Sequence, residues 1–114
     1  MRTVTLGVSS IDDTKRRVAA AFRGEKQGEH FSFASVELLW KVLTAKRWQV
    51  LKAMAGQEAM TIREVARRVG RDVKAVHGDV HALLDAGVLD KTAAGSIVFP
   101  YDSIHVDFKL EAAA

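Results

Sequence analysis

Apolar residues recur along this chain in two rhythms, every second residue near its ends and every three or four residues through its middle. Val4, Leu6 and Val8 alternate with Thr3, Thr5 and Gly7, while Ile104, Val106, Phe108 and Leu110 alternate with His105, Asp107, Lys109 and Glu111. Both patterns predict half-buried strands. Between them, Ser10 and Asp13 form a weak capping box for a helix with Ile11, Val18 and Phe22 on one side. Its Lys15, Arg16, Arg17 and Arg23 read as a solvated face rather than as a DNA contact. Residues 24–30 read as a linker and residues 31–33 as a short extended piece. Ser35 is placed to cap a helix carrying Val36, Leu39, Trp40 and Leu43, and Thr44 a second one carrying Trp48, Leu51 and Ala55. All are expected in the core, the two tryptophans as packing rather than as a ligand box.

Residues 61–92 carry the most detailed pattern. Thr61 and Glu64 make a capping box, and Met60 and Val65 have the spacing of a hydrophobic staple. Ile62, Val65, Ala66 and Val69 then share one side of a helix whose other side holds Arg63, Arg67 and Arg68. Gly70 is the expected terminator and Asp72 the next cap, opening a helix that buries Val73, Val76, Val80, Leu83 and Leu84 and stops at Gly87. Residues 88–91 and 96–99 flank Ala93, Ala94 and Gly95 as a hairpin. Two short helices around a glycine turn, followed by a small hairpin, have the order of a winged helix-turn-helix. The fold class expected is therefore α+β, mainly α with a little β: a winged helix-turn-helix with additional N- and C-terminal strands.

In that arrangement the second helix lays its N-terminal side chains against base edges in the major groove. The wheel exposes Lys74, Ala75, Gly78 and His81, with Arg71 just before the helix and His77 on its flank. Lys and His donate to guanine or phosphate, and Ala packs on a thymine methyl. Thr61, Arg63, Arg67, Arg71, Lys74, Ala75, His77, Gly78, His81 and Lys91 are the expected DNA-binding residues. Asp79 must point away from phosphate, and a hairpin with Lys91 alone for a cation is expected to be mainly structural.

The segments FSFASVELLWKVLTAKRW, TIREVARRVGRDVKAVHGDV, LLDAGVLDKT and IVFPYDSIHVDF resemble bacterial and archaeal regulators of the winged-helix DNA-binding type, related to the MarR group. The resemblance spans residues 31–108. It implies a small dimeric transcription factor, and some relatives are antitoxins that repress their own operon beside a toxin partner.

Composition narrows the classes without choosing among them. A chain of 114 residues with 48% hydrophobic and 27% charged content makes one ordinary globular domain. The net charge of +3 suits a polyanion but is too mild to identify one. Its distribution says more: residues 1–92 hold 16 Lys and Arg against 11 Asp and Glu, and residues 93–114 hold one against three. A phosphate-binding face must come from the first part. The absence of cysteine excludes disulfides, thiol catalysis and Cys-based zinc sites. With no run of ~20 apolar residues and no secretory pattern, the chain is expected in the cytoplasm.

Two terminal strands in a small helical domain leave apolar faces and open edges, which dimerisation would cover. The expected organisation is residues 1–30 as a dimerisation strand and helix, 31–101 as the DNA-binding unit and 102–114 as a strand for dimer or partner contact. Val4, Leu6, Val8, Val18, Phe22, Ile104, Val106 and Phe108 are the expected interface of a homodimer. Its operator would be palindromic, with half-site centres on the order of 34 Å or a multiple apart.

Particular residues support other classes. His77 and His81 have the i, i+4 spacing of zinc ligands, giving a metal-sensing regulator as one alternative, though no Glu follows the first and no third ligand is defined. The acids Asp79 and Asp85 favour a protein-binding adaptor, against which the cluster of Arg63, Arg67, Arg68, Arg71 and Lys74 favours DNA. No Ser, His and acid constellation or phosphate-binding glycine loop is present, so a non-catalytic regulator without a cofactor is expected.

Overall fold

Local rules place each helix start. In the computed structural model, which describes residues 2–8 and 29–108, the Ser35 hydroxyl accepts from the amide of Leu38 to open α1 (Val36–Val42). Thr44 accepts from Arg47 to open α2 (Ala45–Met54). Thr61 accepts from the amide of Glu64 to open α3 (Ile62–Val69), and Asp72 from that of Lys74 to open α4 (Val73–Asp85). Each satisfies a backbone donor that the first helical turn leaves without a partner. Gly70 ends α3 at φ 67°, a left-handed conformation that costs an L side chain and suits glycine.

The Thr61 box closes on one side only. The Glu64 carboxylate turns outward to Arg67 and Arg68 instead of reaching back to the Thr61 amide. Met60 and Val65 are both buried, at 7% and 0% exposure, as a staple requires. Met60 also pairs through its backbone with Ile97 in both directions at 2.8 Å. Ile97 belongs to β4 (Ile97–Val98), which runs antiparallel to β3 (Asp90–Lys91). The hairpin predicted from residues 88–99 thus forms with two-residue strands, because Val88 and Leu89 are drawn into the core. Its stem is fixed to Met60, the residue before the α3 cap Thr61.

The terminal strand β1 (Thr3–Val8) lies between β2 (Glu29–Phe33) and β5 (Ser103–Asp107), parallel to both. Glu29 and His30, expected in a linker, are therefore strand residues, and the extended piece at 31–33 is an edge strand. Register places Val4, Leu6, Val8, Phe31, Phe33, Ile104 and Val106 on one side. Thr3, Thr5, His30, Ser32, Ser103, His105 and Asp107 take the other, where the Thr3 and Ser103 hydroxyls lie 2.6 Å apart. The apolar side joins one core with Leu39, Val50, Leu51, Met54, Val65, Val76, Val80, Leu83, Ile97 and Phe99. The result is an α+β fold of helices packed with a small sheet.

Three expectations need correction. Val4 and Leu6, expected at a subunit interface, are 3% and 1% exposed and lie inside this chain's own core. Trp40 and Trp48 are not core residues: they stand 56% and 37% exposed. Val73, at the first position of α4, is 42% exposed. Val8, Ile104 and Phe108 pack partly against the core, while Val106 is 36% exposed. The predicted helix with Val18 and Phe22, and the residues beyond Phe108, lie outside the described residues. No helix among the described residues is long and apolar enough to cross a membrane.

Candidate nucleic-acid interface

The α4 helix separates its residues sharply. Val76, Val80 and Leu83 have no exposed surface, whereas Val73, Lys74, Ala75, His77, Gly78 and His81 face solvent. A Cβ built on Gly78 meets no atom within 4 Å, so the middle of this exposed row is open. Val73 joins it with an apolar side chain that the wheel had assigned to the core.

Asp79 lies on the flank of α4 and is 15% exposed. Arg47 Nε of α2 donates to one of its oxygens at 3.1 Å, and Arg71 Nη1 from the turn donates to the other at 2.8 Å. Arg47 Nη1 further donates to the carbonyls of Lys41 and Val42, each at 3.1 Å, at the end of α1. One carboxylate therefore ties α4 to the preceding turn and to α2, and its charge is turned from the exposed row. Charge-assisted bonds of this kind are the stronger class of side-chain hydrogen bond. Arg71, expected as a free phosphate contact, is committed to this network and is 22% exposed.

A second cluster lies on α3. The Arg67 guanidinium binds both Glu64 oxygens, Arg68 Nε donates to Oε1 at 2.9 Å, and Arg68 Nη1 donates to Gln57 Oε1 at 3.1 Å. These two guanidinium groups hold the Glu64 carboxyl down to about 2, well below its ordinary value. The same contact raises the pKa of Arg67. The Thr61 hydroxyl oxygen is occupied as a cap acceptor, leaving its proton as a donor.

Among the described residues, Arg63, Lys74 and Lys91 make no ion pair, so three of the predicted cations remain available. The structure adds others. A cleft of about 420 Å³ between α2 and the α3–α4 turn is lined by Lys46, Lys52, Arg68 and Arg71 with Gln49 and Ala53. Lys46 and Lys52 were not among the sequence candidates, since six-residue spacing on a helix gives no motif. Only packing of α2 against α3 brings them beside the turn. Lys91 stands exposed on β3, paired across the hairpin with Ile97.

His77 and His81 are exposed, with ring centroids 4.1 Å apart. No third His, Cys, Asp or Glu among the described residues joins them in a cluster that could hold a metal ion. Zinc sites use three or four protein ligands, and this pair offers two.

The sequence profile of the HVO_A0114 family matches residues 42–106, more than half of the chain. The chain belongs to the HVO_A0114 family. The HVO_A0114 match runs from the last residue of α1 into β5, and so contains α2, α3, α4, the hairpin and every cation of the candidate interface. It leaves out β1 and β2. Neither a curated protein nor a solved structure matches the chain.

Proposed function

We propose that this protein is a sequence-directed DNA-binding regulator, a winged helix-turn-helix in which α3 and α4 form the helix pair, α4 reads the major groove and β3–β4 is the wing. The observation that carries this reading is the state of Asp79. Its two arginine partners remove that carboxylate from the exposed row of α4, which then offers Lys74, Ala75, Gly78 and His81, with the exposed Asp85 one turn further on at the helix end. Such a row suits base edges: Lys74 and His81 supply donors, and Ala75 and Val73 supply apolar contact for thymine methyls. The backbone pairing of Met60 with Ile97 supports the wing, since it holds the hairpin beside the start of α3.

Lys46, Lys52, Arg63 and Lys91 flank this row as phosphate contacts, which position a protein on duplex DNA without reading sequence. Arg71 acts differently from the sequence expectation: it orients α4 through Asp79. The experiment is selection of random duplex DNA by the purified protein, followed by a salt titration on the recovered site. A recurrent site is expected, with Lys74→Ala lowering the salt slope by ~1. No enrichment over bulk duplex would overturn base reading and leave the fold to a protein-adaptor role.

A further inference from the structure

Cations from three parts of the fold converge on one hollow. The cleft of about 420 Å³ is lined by Lys46, Gln49, Lys52 and Ala53 of α2, by Arg68 of α3 and by Arg71 of the turn, and no acid stands among its lining residues. We propose that this cleft binds a small molecule through a diphosphate group. The proposal goes beyond the DNA-binding reading and is tested without DNA.

The first support is a surplus of charge. Lys46 and Lys52 make no ion pair among the described residues. Glu64 is shared by Arg67 and Arg68, and Asp79 by Arg47 and Arg71, so each carboxylate offsets one of its two guanidinium groups. The cleft therefore faces a local excess of cations in a chain whose net charge is only +3. The second is preorganisation. Arg68 is held by Glu64 and Gln57, and Arg71 by Asp79. A guanidinium carries five donors, so both groups are anchored with donors to spare, and donors fixed before a ligand arrives lose little freedom on binding. The third is spacing. Lys46 and Lys52 stand six residues apart on α2, about 9 Å along a helix axis, with Gln49 between them. That span exceeds one phosphate and suits two linked ones, while Arg68 and Arg71 supply the planar fork that pairs with phosphate oxygens. The volume lies in the range of small-ligand sites, so there is room for the group that carries the diphosphate. Gln49 offers that group an amide, and Ala53 narrows the cleft by a methyl alone.

Arg71 lines the cleft and also holds Asp79 of α4, so an occupant touches the group that orients the helix assigned to bases. The test is calorimetric titration of the full chain with inorganic pyrophosphate at one salt concentration, with orthophosphate and sulfate as comparisons. One saturable site is expected, binding pyrophosphate at least ~10-fold more tightly than either single anion. Lys46→Gln and Lys52→Gln should each weaken it about 10-fold, the loss of one charge-assisted hydrogen bond. Lys41→Gln removes the same charge from an exposed position on α1 outside the cleft, and should change it by less than ~2-fold because salt screens such a distant charge. Ala53→Met fills the cleft without altering charge and should abolish binding. No saturable binding overturns the proposal. So does binding that Lys41→Gln weakens as much as Lys46→Gln while Ala53→Met leaves it intact, since that is diffuse attraction to a basic surface. Lysine variants that lose affinity for duplex DNA, in a protein that ignores pyrophosphate, overturn it too and leave the cleft to backbone phosphate. Should Ala53→Met fail to fold by circular dichroism, the three lysine variants decide. Pyrophosphate binding without any enriched DNA site would support the cleft and refute base reading, so the two readings fail separately.

Discussion

Replacing Gly78 separates folding from recognition. Glycine inside a helix costs roughly 0.5–1 kcal/mol relative to alanine, because the unfolded chain loses more freedom on folding. At Gly78 nothing in the folded protein offsets that cost: its φ is not positive and a Cβ would have no atom within 4 Å. Gly78→Ala should therefore stabilise the free protein by about 0.5–1 kcal/mol, a rise in melting temperature of about 2–6 °C for a domain of this size. Gly78→Gln should retain part of that gain, since glutamine is also a good helix former. On DNA the expectation reverses. If the exposed row of α4 lies in a groove, a glutamine projecting from its middle either blocks docking or adds a base contact, changing affinity for the selected site by at least ~10-fold. Calorimetry reads the first effect, and fluorescence anisotropy on selected and scrambled duplexes at one salt concentration reads the second. A Gly78→Ala variant less stable than the parent would refute the packing argument. Unchanged affinity and preference in Gly78→Gln would refute the assignment of this face to bases.

Three further perturbations test separate parts of the structure. Asp79→Ala removes the acceptor shared by Arg47 and Arg71, and should lower stability by about 1–2 kcal/mol because the group is only partly buried; urea midpoints should fall with an unchanged m-value. The Glu64 carboxyl, held down to about 2 by Arg67 and Arg68, should titrate near that value by carboxyl NMR. Because its folded pKa lies below its unfolded one, its contribution is present above the ordinary carboxylate range and lost as pH falls towards 2, and Arg67→Ala should raise the midpoint. Gly7→Ala would bring a Cβ within 2.9 Å of the Asp107 carbonyl oxygen, a backbone atom, so β1 and β5 must separate; a loss of about 1–3 kcal/mol in thermal unfolding is expected.

The sequence rules that succeeded act within a few residues. Ser35, Thr44, Thr61 and Asp72 each cap a helix start through a donor two or three residues ahead, and Gly70 ends a helix by its own φ. The strands at both ends were legible from alternation, but their pairing was not, because β1 joins partners such as Ser103 that are a hundred residues away. Alternation tells which side is apolar and not what covers it, and the cover over Val4 and Leu6 comes from this chain's own core. The tryptophans failed for a related reason. A wheel groups Trp40 with Leu39, yet only Leu39 is turned fully inward in the seven-residue α1. Arg71 looked like a phosphate contact because its partners, Asp79 and through it Arg47, come from other parts of the fold. Charge in a sequence shows what is present, and tertiary contact decides what remains free.

Arg47 connects the candidate DNA face to the end of α1. Its Nε holds Asp79 of α4, while its Nη1 holds the carbonyls of Lys41 and Val42 at the end of α1. The Arg47 guanidinium thus contributes, with Arg71 and the core, to the orientation of α4 relative to α1 and α2. Lysine keeps the charge but cannot donate from separate nitrogens of a planar fork. Arg47→Lys should therefore retain non-specific DNA binding while weakening discrimination of the selected site from scrambled duplex, measured by fluorescence anisotropy at one salt concentration. Unchanged discrimination would mean that α4 is oriented by core packing through Val76, Val80 and Leu83, with the ion pairs contributing stability alone.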